Sequence, residues 1–509
     1  MPHIKSFHSA PHSVVQSIVA AQAAAGHDVF GAAAVDDPVA AITAALETVP
    51  RYRSPAPRAP LDTMALQSAG FFSHECTAMR VAYIDAVLSG DTAAREEILS
   101  EYKMSSCDVT GWAGAAAEYL YWDLSAMNYV AAPTPPDNSF VYALPEQDEL
   151  TVGILGDWGT GQSVAAIVVA EMMKQMPDVI VHVGDLYYAG TMGEMEANYL
   201  GLIANARAAT GCRAPIYNLP GNHDYYTKGA PFYAALGKVN ADAAFPASPT
   251  APAPVQQASF FALSNSWLQL QGMDTGYHDS DLFRVADDTT RLNDTEAAWH
   301  LYQLSQANAA NRSVLLFSHH QAWSACEGIG TGPGTVGGTD VPGDVAAQAA
   351  GFNFAQARSA MPMASYNVNL QRQLASVAPG TVLAWFWGHE HVLEVYDQAA
   401  IAKSTVNGNP LADLFRWVPY GACVGHSAFP MLDIDKPYGP ATPDVVYNPD
   451  IVVQTRAAHG ANVYDHGFTM VKATRNVGGP ASAVATYYAV AADGSGAAVA
   501  GFPKTSTIA

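Results

Sequence analysis

From Leu150 onward the chain alternates short apolar runs with longer mixed stretches. Thr151 to Leu155, Val179 to Val183, Ile216 to Leu219, Val314 to Phe317 and Val382 to Trp387 are apolar throughout or nearly so, and each stops within two residues of glycine or a polar residue. Short apolar runs bounded in this way predict strands. Ser163 to Met176, between the first two runs, predicts a helix. Strand and helix in alternation predict an α/β fold, and ligands in such sheets gather beyond the carboxyl ends of the strands. Phe468 to Val471 and Ala485 to Tyr488 suit closing strands, whereas the small, polar tail beyond Gly494 predicts a frayed end.

The N-terminal part has a different texture. Ser13 to about Asp123 is Ala-rich, with Val14, Ile18 and Ala21 at helical spacing and Asp91 placed to cap a helix over Thr92 to Tyr102. This predicts an α-helical N-terminal domain over residues 1–140 and a catalytic domain over 141–509, joined through the Pro-rich stretch Ala131 to Asn138. Two further stretches read as long irregular loops: Ala244 to Pro254, and the Gly-rich Gly328 to Gly343, which is either a mobile rim or a solvated linker.

Composition narrows the function classes. Half of the 509 residues are apolar and 14% are charged, so the chain has the makings of a large core. A formal net charge of -22 opposes long-range attraction of nucleic acid or anionic membranes, so neither is expected as a partner. A phosphate-bearing substrate must then be captured locally, as bound cations do when they reverse the field of an acidic cleft. The five cysteines, Cys76, Cys107, Cys212, Cys326 and Cys423, show neither zinc-finger spacing nor a disulfide framework. No apolar run reaches the ~20 residues that cross a bilayer. Met1 to Gly26 lacks a continuous apolar signal core, so a cytoplasmic location is the expectation. Oligomeric state is not legible.

The chemistry sits in five ordered clusters: Gly156-Asp157-Trp158-Gly159, Gly184-Asp185-Leu186-Tyr187-Tyr188, Gly221-Asn222-His223-Asp224, Ser318-His319-His320, and Gly388-His389-Glu390-His391. Each falls at the end of a predicted strand. Together they supply carboxylate, amide, imidazole and phenol donors, the oxygen and nitrogen set suited to Zn, Fe or Mn.

These clusters resemble the five motifs of the purple acid phosphatases within the calcineurin-like metallophosphoesterases. The resemblance covers Leu150 to Asp397. Most metallophosphoesterases carry a histidine two residues after the first aspartate, where this chain has Gly159, and the purple phosphatases substitute a tyrosine three residues after the second, where it has Tyr188. The resemblance implies a four-layer α/β/β/α sandwich and two metal ions. It implies a first ion on Asp157, Asp185, Tyr188 and His391, a second on Asp185, Asn222, His319 and His389, and Asp185 bridging them. Fe(III) is expected at the first site and Zn, Mn or Fe(II) at the second. His223 would bind phosphate oxygens or protonate the leaving group, with catalysis resting on it and on Asp185; His320 would support from behind. Gln321 stands where the family commonly has proline, and the β-sandwich that precedes the plant enzymes' catalytic domain is not seen here.

The expected activity is hydrolysis of small phosphomonoesters by metal-bound hydroxide. The alternatives are phosphodiester hydrolysis of nucleotide or lipid-derived substrates at the same centre, or a non-catalytic scaffold retaining the fold. Among neighbouring residues, Tyr187 competes with Tyr188, which the family offset favours. His182 reads as a core histidine, His426 and His466 as possible cleft residues, Trp158 as a packing aromatic, and Asp274 as either support for the site or a turn.

Overall fold

A computed structural model gives the fold. It describes Ala86 and most of the chain from Asp91 to Ile508; residues 1–85, 87–90, 106–107, 123–124, 281–289, 325–333, 337–338, 342–365, 407–408, 432–450, 453–454, 459–460, 491–498, 500 and 509 lie outside the description. The bulk of the expected helical domain, its periodic start at Val14 included, therefore falls outside the described residues. So does most of the Gly-rich stretch, apart from the paired strands Gly334–Val336 and Thr339–Val341.

Two mixed sheets carry the architecture. The strands are β1 (Val141–Ala143), β2 (Glu149–Leu155), β3 (Val179–His182), β4 (Ile216–Asn218), β5 (Phe261–Ser264), β6 (Leu268–Met273) and β7 (Ser313–Ser318). They continue as β8 (Val382–Trp387), β9 (Leu393–Tyr396), β10 (Gly421–Val424), β11 (Ile451–Val452), β12 (His466–Thr474), β13 (Ser482–Val490) and β14 (Lys504–Thr507). One sheet runs β1-β5-β6-β7-β8-β10-β9-β11 and the other β14-β13-β12-β2-β3-β4. At the centres the pairing is parallel: β2 with β3 and β3 with β4 in one sheet, β6 with β7, β7 with β8 and β8 with β10 in the other.

Period-two alternation decides which side chains face which layer. In β2, Leu150, Val152 and Ile154 enter the main core shared with the other sheet, while Leu155 enters a second core. In β3, Val179 and Val181 point to the main core and Ile180 to the second. That second core is closed by helices α3 (Ser163–Lys174), α4 (Leu202–Thr210) and α5 (Ala230–Val239), and α6 (Asp294–Ala309) packs on the larger sheet. The arrangement is consistent with the sandwich that the resemblance implies.

Among the described residues, helices α1 (Thr92–Tyr102) and α2 (Val109–Trp122) precede the sheets. Asp91 caps α1, its side chain accepting from the Ala94 N–H at 3.0 Å. Trp112, Ala115 and Tyr119 of α2 join the main core of the sheets. One expectation is corrected at the C-terminus, where Lys504–Thr507 forms β14 on the edge of β13. The unpaired N–H and C=O groups of an edge strand recruit even a polar partner segment.

Candidate metal centre

The five clusters converge where the parallel strands end. Close packing there needs glycine. A Cβ on Gly221 would lie 1.9 Å from Asp185 Oδ1, and one on Gly184, whose φ is +112°, would lie 2.6 Å from His319 Nδ1. The side chains that follow are turned inward by backbone in the left-handed region: Asp157, Asp185, His389 and His391 have φ of 56°, 70°, 69° and 59°. That conformation costs a non-glycine residue about 1–2 kcal/mol. Its recurrence at four polar residues of one site marks positions where function outweighs local preference.

Two groups of donors share Asp185. In the first, ligand atoms of Asp157, Asp185 and His391 lie within 4.8 Å of one another, with His391 Nε2 3.2 Å from Asp157 Oδ1. The phenol among them is Tyr187: its hydroxyl oxygen is 2.8 Å from Asp157 Oδ1, 3.0 Å from Asp185 Oδ2 and 2.8 Å from His391 Nε2. In the second, His319 Nε2 is 3.4 Å from Asp185 Oδ2, 3.2 Å from Asn222 Oδ1 and 3.3 Å from His389 Nδ1. All of these residues are buried, His389 the most accessible at 7%.

The assignment of Tyr188 to the first group is corrected. Its hydroxyl donates instead to Asp108 Oδ2, on the segment leading into α2. The physical reason is local: the chain leaves β3 in a turn at Asp185, so an offset counted along the sequence does not settle which of two adjacent tyrosines faces the carboxylates.

The donor set fits cations. A hydroxyl owns one proton, so Tyr187 can satisfy only one of the two buried carboxylates it touches, and the remaining lone pairs are what a metal ion accepts. Burial raises the Tyr187 pKa well above its ordinary value, and Asp157 and Asp185 raise it further; a bound cation reverses that logic. Burial likewise opposes ionisation of Asp185, yet the imidazoles of His319 and His223 hold its pKa well below the usual range. Burial pushes His319 down, but Asp185 outweighs it and lifts the ring to about 9. Without metal the imidazole supplies the positive charge; with metal the same lone pair becomes a ligand.

His223 lies beside both groups, its Nε2 3.8 Å from Asp185 Oδ2 and its backbone N–H donating to Asp185 Oδ1 at 3.0 Å. Its Nδ1 is 2.6 Å from the Tyr188 carbonyl. Asp224 Oδ2 accepts from the N–H groups of Asp185 at 3.0 Å and Gly221 at 2.8 Å, tying two of the clusters together. Burial, and then Asp185, push the Asp224 carboxyl up to about 8.

The remaining candidates are distributed as follows. His320 offers a ligand atom within 4.8 Å of those of His319 and His389, and contacts Asp279 Oδ2 at 2.9 Å and Thr275 Oγ1 at 3.1 Å. Asp274 does both things expected of it, accepting from the Gly276 and Tyr277 N–H groups as in a turn and from the Tyr225 hydroxyl beside the third cluster. Trp158 packs in the second core, its indole donating to the Ala165 carbonyl at 2.7 Å. His182 is buried against Trp158 and Tyr199, and burial lowers it to about 4. His426 contacts the Tyr488 carbonyl at 3.4 Å. Neither His426 nor His466 belongs to the ligand groups among the described residues.

Sequence reading assigned no role to the aromatic wall. Phe429 stacks on His391 with ring centres 3.9 Å apart, and Trp112 sits 5.6 Å from His223 and 6.2 Å from Phe429. Neither lies in a motif, and Trp112 precedes the nearest cluster by more than forty positions.

Residues 150–393 match the family model described as calcineurin-like phosphoesterase. No curated protein matches the chain. Among solved structures, a dimetal phosphatase from Danio rerio aligns with a TM-score of 0.33 at 12% identity, over 67% of this chain and 95% of that one.

Proposed function

We propose that this chain, whose residues 150–393 match the calcineurin-like phosphoesterase model, is a metallophosphoesterase that hydrolyses phosphomonoesters at a pair of metal ions, in the manner of a purple acid phosphatase. The observation that carries this reading is the position of Asp185, whose Oδ2 lies 3.0 Å from the Tyr187 hydroxyl and 3.4 Å from His319 Nε2, between two buried donor groups. Asp157, Asp185, Tyr187 and His391 would hold one ion, and Asp185, Asn222, His319 and His389 the other. A phenol in the first group supports Fe(III) there, with Zn, Mn or Fe(II) in the second. When bound, such a pair activates water, neutralises phosphoryl charge and clamps the attacking and leaving oxygens of an in-line displacement.

The chain's own groups do the rest. His223 Nε2 lies 3.8 Å from the shared carboxylate, and in this reading it would hold a phosphate oxygen or give a proton to the leaving group. Trp112 and Phe429 place apolar rings beside His223 and His391. The test is turnover of phosphomonoester and phosphodiester substrates by protein carrying two ions per chain. Preferential monoester hydrolysis that Asp185→Asn abolishes is expected. Inert two-metal protein would overturn the enzyme reading, and a diester preference would overturn the substrate class.

A further inference from the structure

We propose that Asp108 is a positioning residue for His223, acting through Tyr188, so that the segment leading into α2 belongs to the catalytic apparatus although it lies outside the family-matched region. The inference rests on the di-metal hydrolase reading for what His223 does, but not for how it is held.

Asp108 is itself fixed. It is 4% exposed, its Oδ1 accepts from the Gly111 N–H at 3.0 Å at the start of α2, and its Oδ2 accepts from the Met104 N–H at 3.1 Å. The same Oδ2 takes the hydroxyl proton of Tyr188. Tyr188 is gripped elsewhere too: its N–H donates to Glu194 Oε1, and its ring meets Trp112 edge-on at 5.1 Å. The approach of α2 is so close that a Cβ on Gly111 would fall 2.4 Å from the Tyr188 ring. A tyrosine held by its phenol, its N–H and its ring has little freedom in its carbonyl.

That carbonyl receives His223 Nδ1 at 2.6 Å. Committing the Nδ1 proton to a fixed acceptor selects the ring orientation and leaves Nε2 facing Asp185. A ring flip would instead present carbon to the leaving oxygen. Trp112 closes the other side, its ring centre 5.6 Å from that of His223. Asp108 thus reaches the reacting atoms at two removes, and sub-ångström placement is where general acids lose efficiency.

The test compares Asp108→Asn, which retains an oxygen to cap α2, with Tyr188→Phe, which retains the ring. Zinc-loaded proteins are assayed on glycerol phosphate, whose leaving alkoxide needs a proton, and on 4-nitrophenyl phosphate, whose leaving group does not. Each variant should lose roughly 10-fold in kcat on the first ester and much less on the second, with two ions retained. The double variant should be no worse than either single one. In metal-free protein, the slowly exchanging Nδ1 ring proton of His223, identified by its absence in His223→Asn, should be lost in both variants. Equal losses on both esters, additive effects, or an unchanged ring proton would overturn the proposal. Wild-type protein inert to both esters would instead sink the hydrolase reading, and the ring proton would still decide the positioning.

Discussion

Replacing Tyr187 with phenylalanine separates two readings of a single dipeptide. Its ring centre lies 4.7 Å from His223 and 4.6 Å from Phe429, so phenylalanine retains the packing and opens no cavity. Only the hydroxyl is lost, together with its contacts to Asp157, Asp185 and His391. In chelated protein a hydrogen bond to a charged group contributes about 1.5–3 kcal/mol, and that is the expected loss of unfolding free energy. In metal-loaded protein the change would remove the ligand proposed for the first site. Altering a group merely hydrogen-bonded to a ligand weakens metal binding about 10- to 100-fold, so removal of a ligand should cost at least that much. Tyr188→Phe, whose hydroxyl contacts Asp108, should leave metal affinity unchanged. Metal content after dialysis, calorimetric titration with zinc, and the visible spectrum of iron-loaded protein read this out. A phenolate-to-Fe(III) band that disappears in Tyr188→Phe and persists in Tyr187→Phe would refute the geometry; a colourless iron-loaded protein would refute iron at the first site.

Other predictions concern the supports of the site. Gly221→Ala places a methyl 1.9 Å from Asp185 Oδ1 and should abolish binding of both ions with the circular dichroism spectrum intact, whereas Gly479→Ala, with open space around it, should change neither. Zinc at about 100 times its dissociation constant should stabilise the chain by about 2.7 kcal/mol per occupied site, seen as a raised melting temperature that EDTA reverses. Behind the third cluster, Glu296 accepts from Tyr129, the Asp274 N–H and His300, and burial raises its carboxyl to about 8. A folded-state pKa above the unfolded value near 4.5 means stability that is full below that value and lost as pH rises toward 8. Denaturation of chelated protein should therefore be easier at pH 8 than at pH 5. Glu296→Gln should make the slope shallower without flattening it, because burial and then Glu296 hold Asp274 up near 7 as well. An unchanged slope would refute the assignment.

Much of the centre was legible because its residues sit at strand ends. An apolar run that stops at glycine, at Pro220-Gly221 or at Ser318 announces both a strand and the point where the next side chains meet the cleft, and this located Asp157, Asp185, Asn222, His319, His389 and His391. Even the cap at Asp91 followed from local chemistry, since a helix start leaves N–H groups that a short acidic side chain satisfies at once. Those inferences needed only neighbours along the chain.

Tertiary structure decided the rest. Tyr187 and Tyr188 differ by one position, and the turn through Asp185, at φ of 70°, determines which phenol meets the carboxylates. Asp108 and Trp112 carry no motif, and their bearing on His223 exists only because α2 packs onto the ends of strands far along the chain. Sequence determines what a side chain can donate or accept and the period on which it recurs; which distant group it meets depends on how separate elements pack, and that is a property of the folded whole.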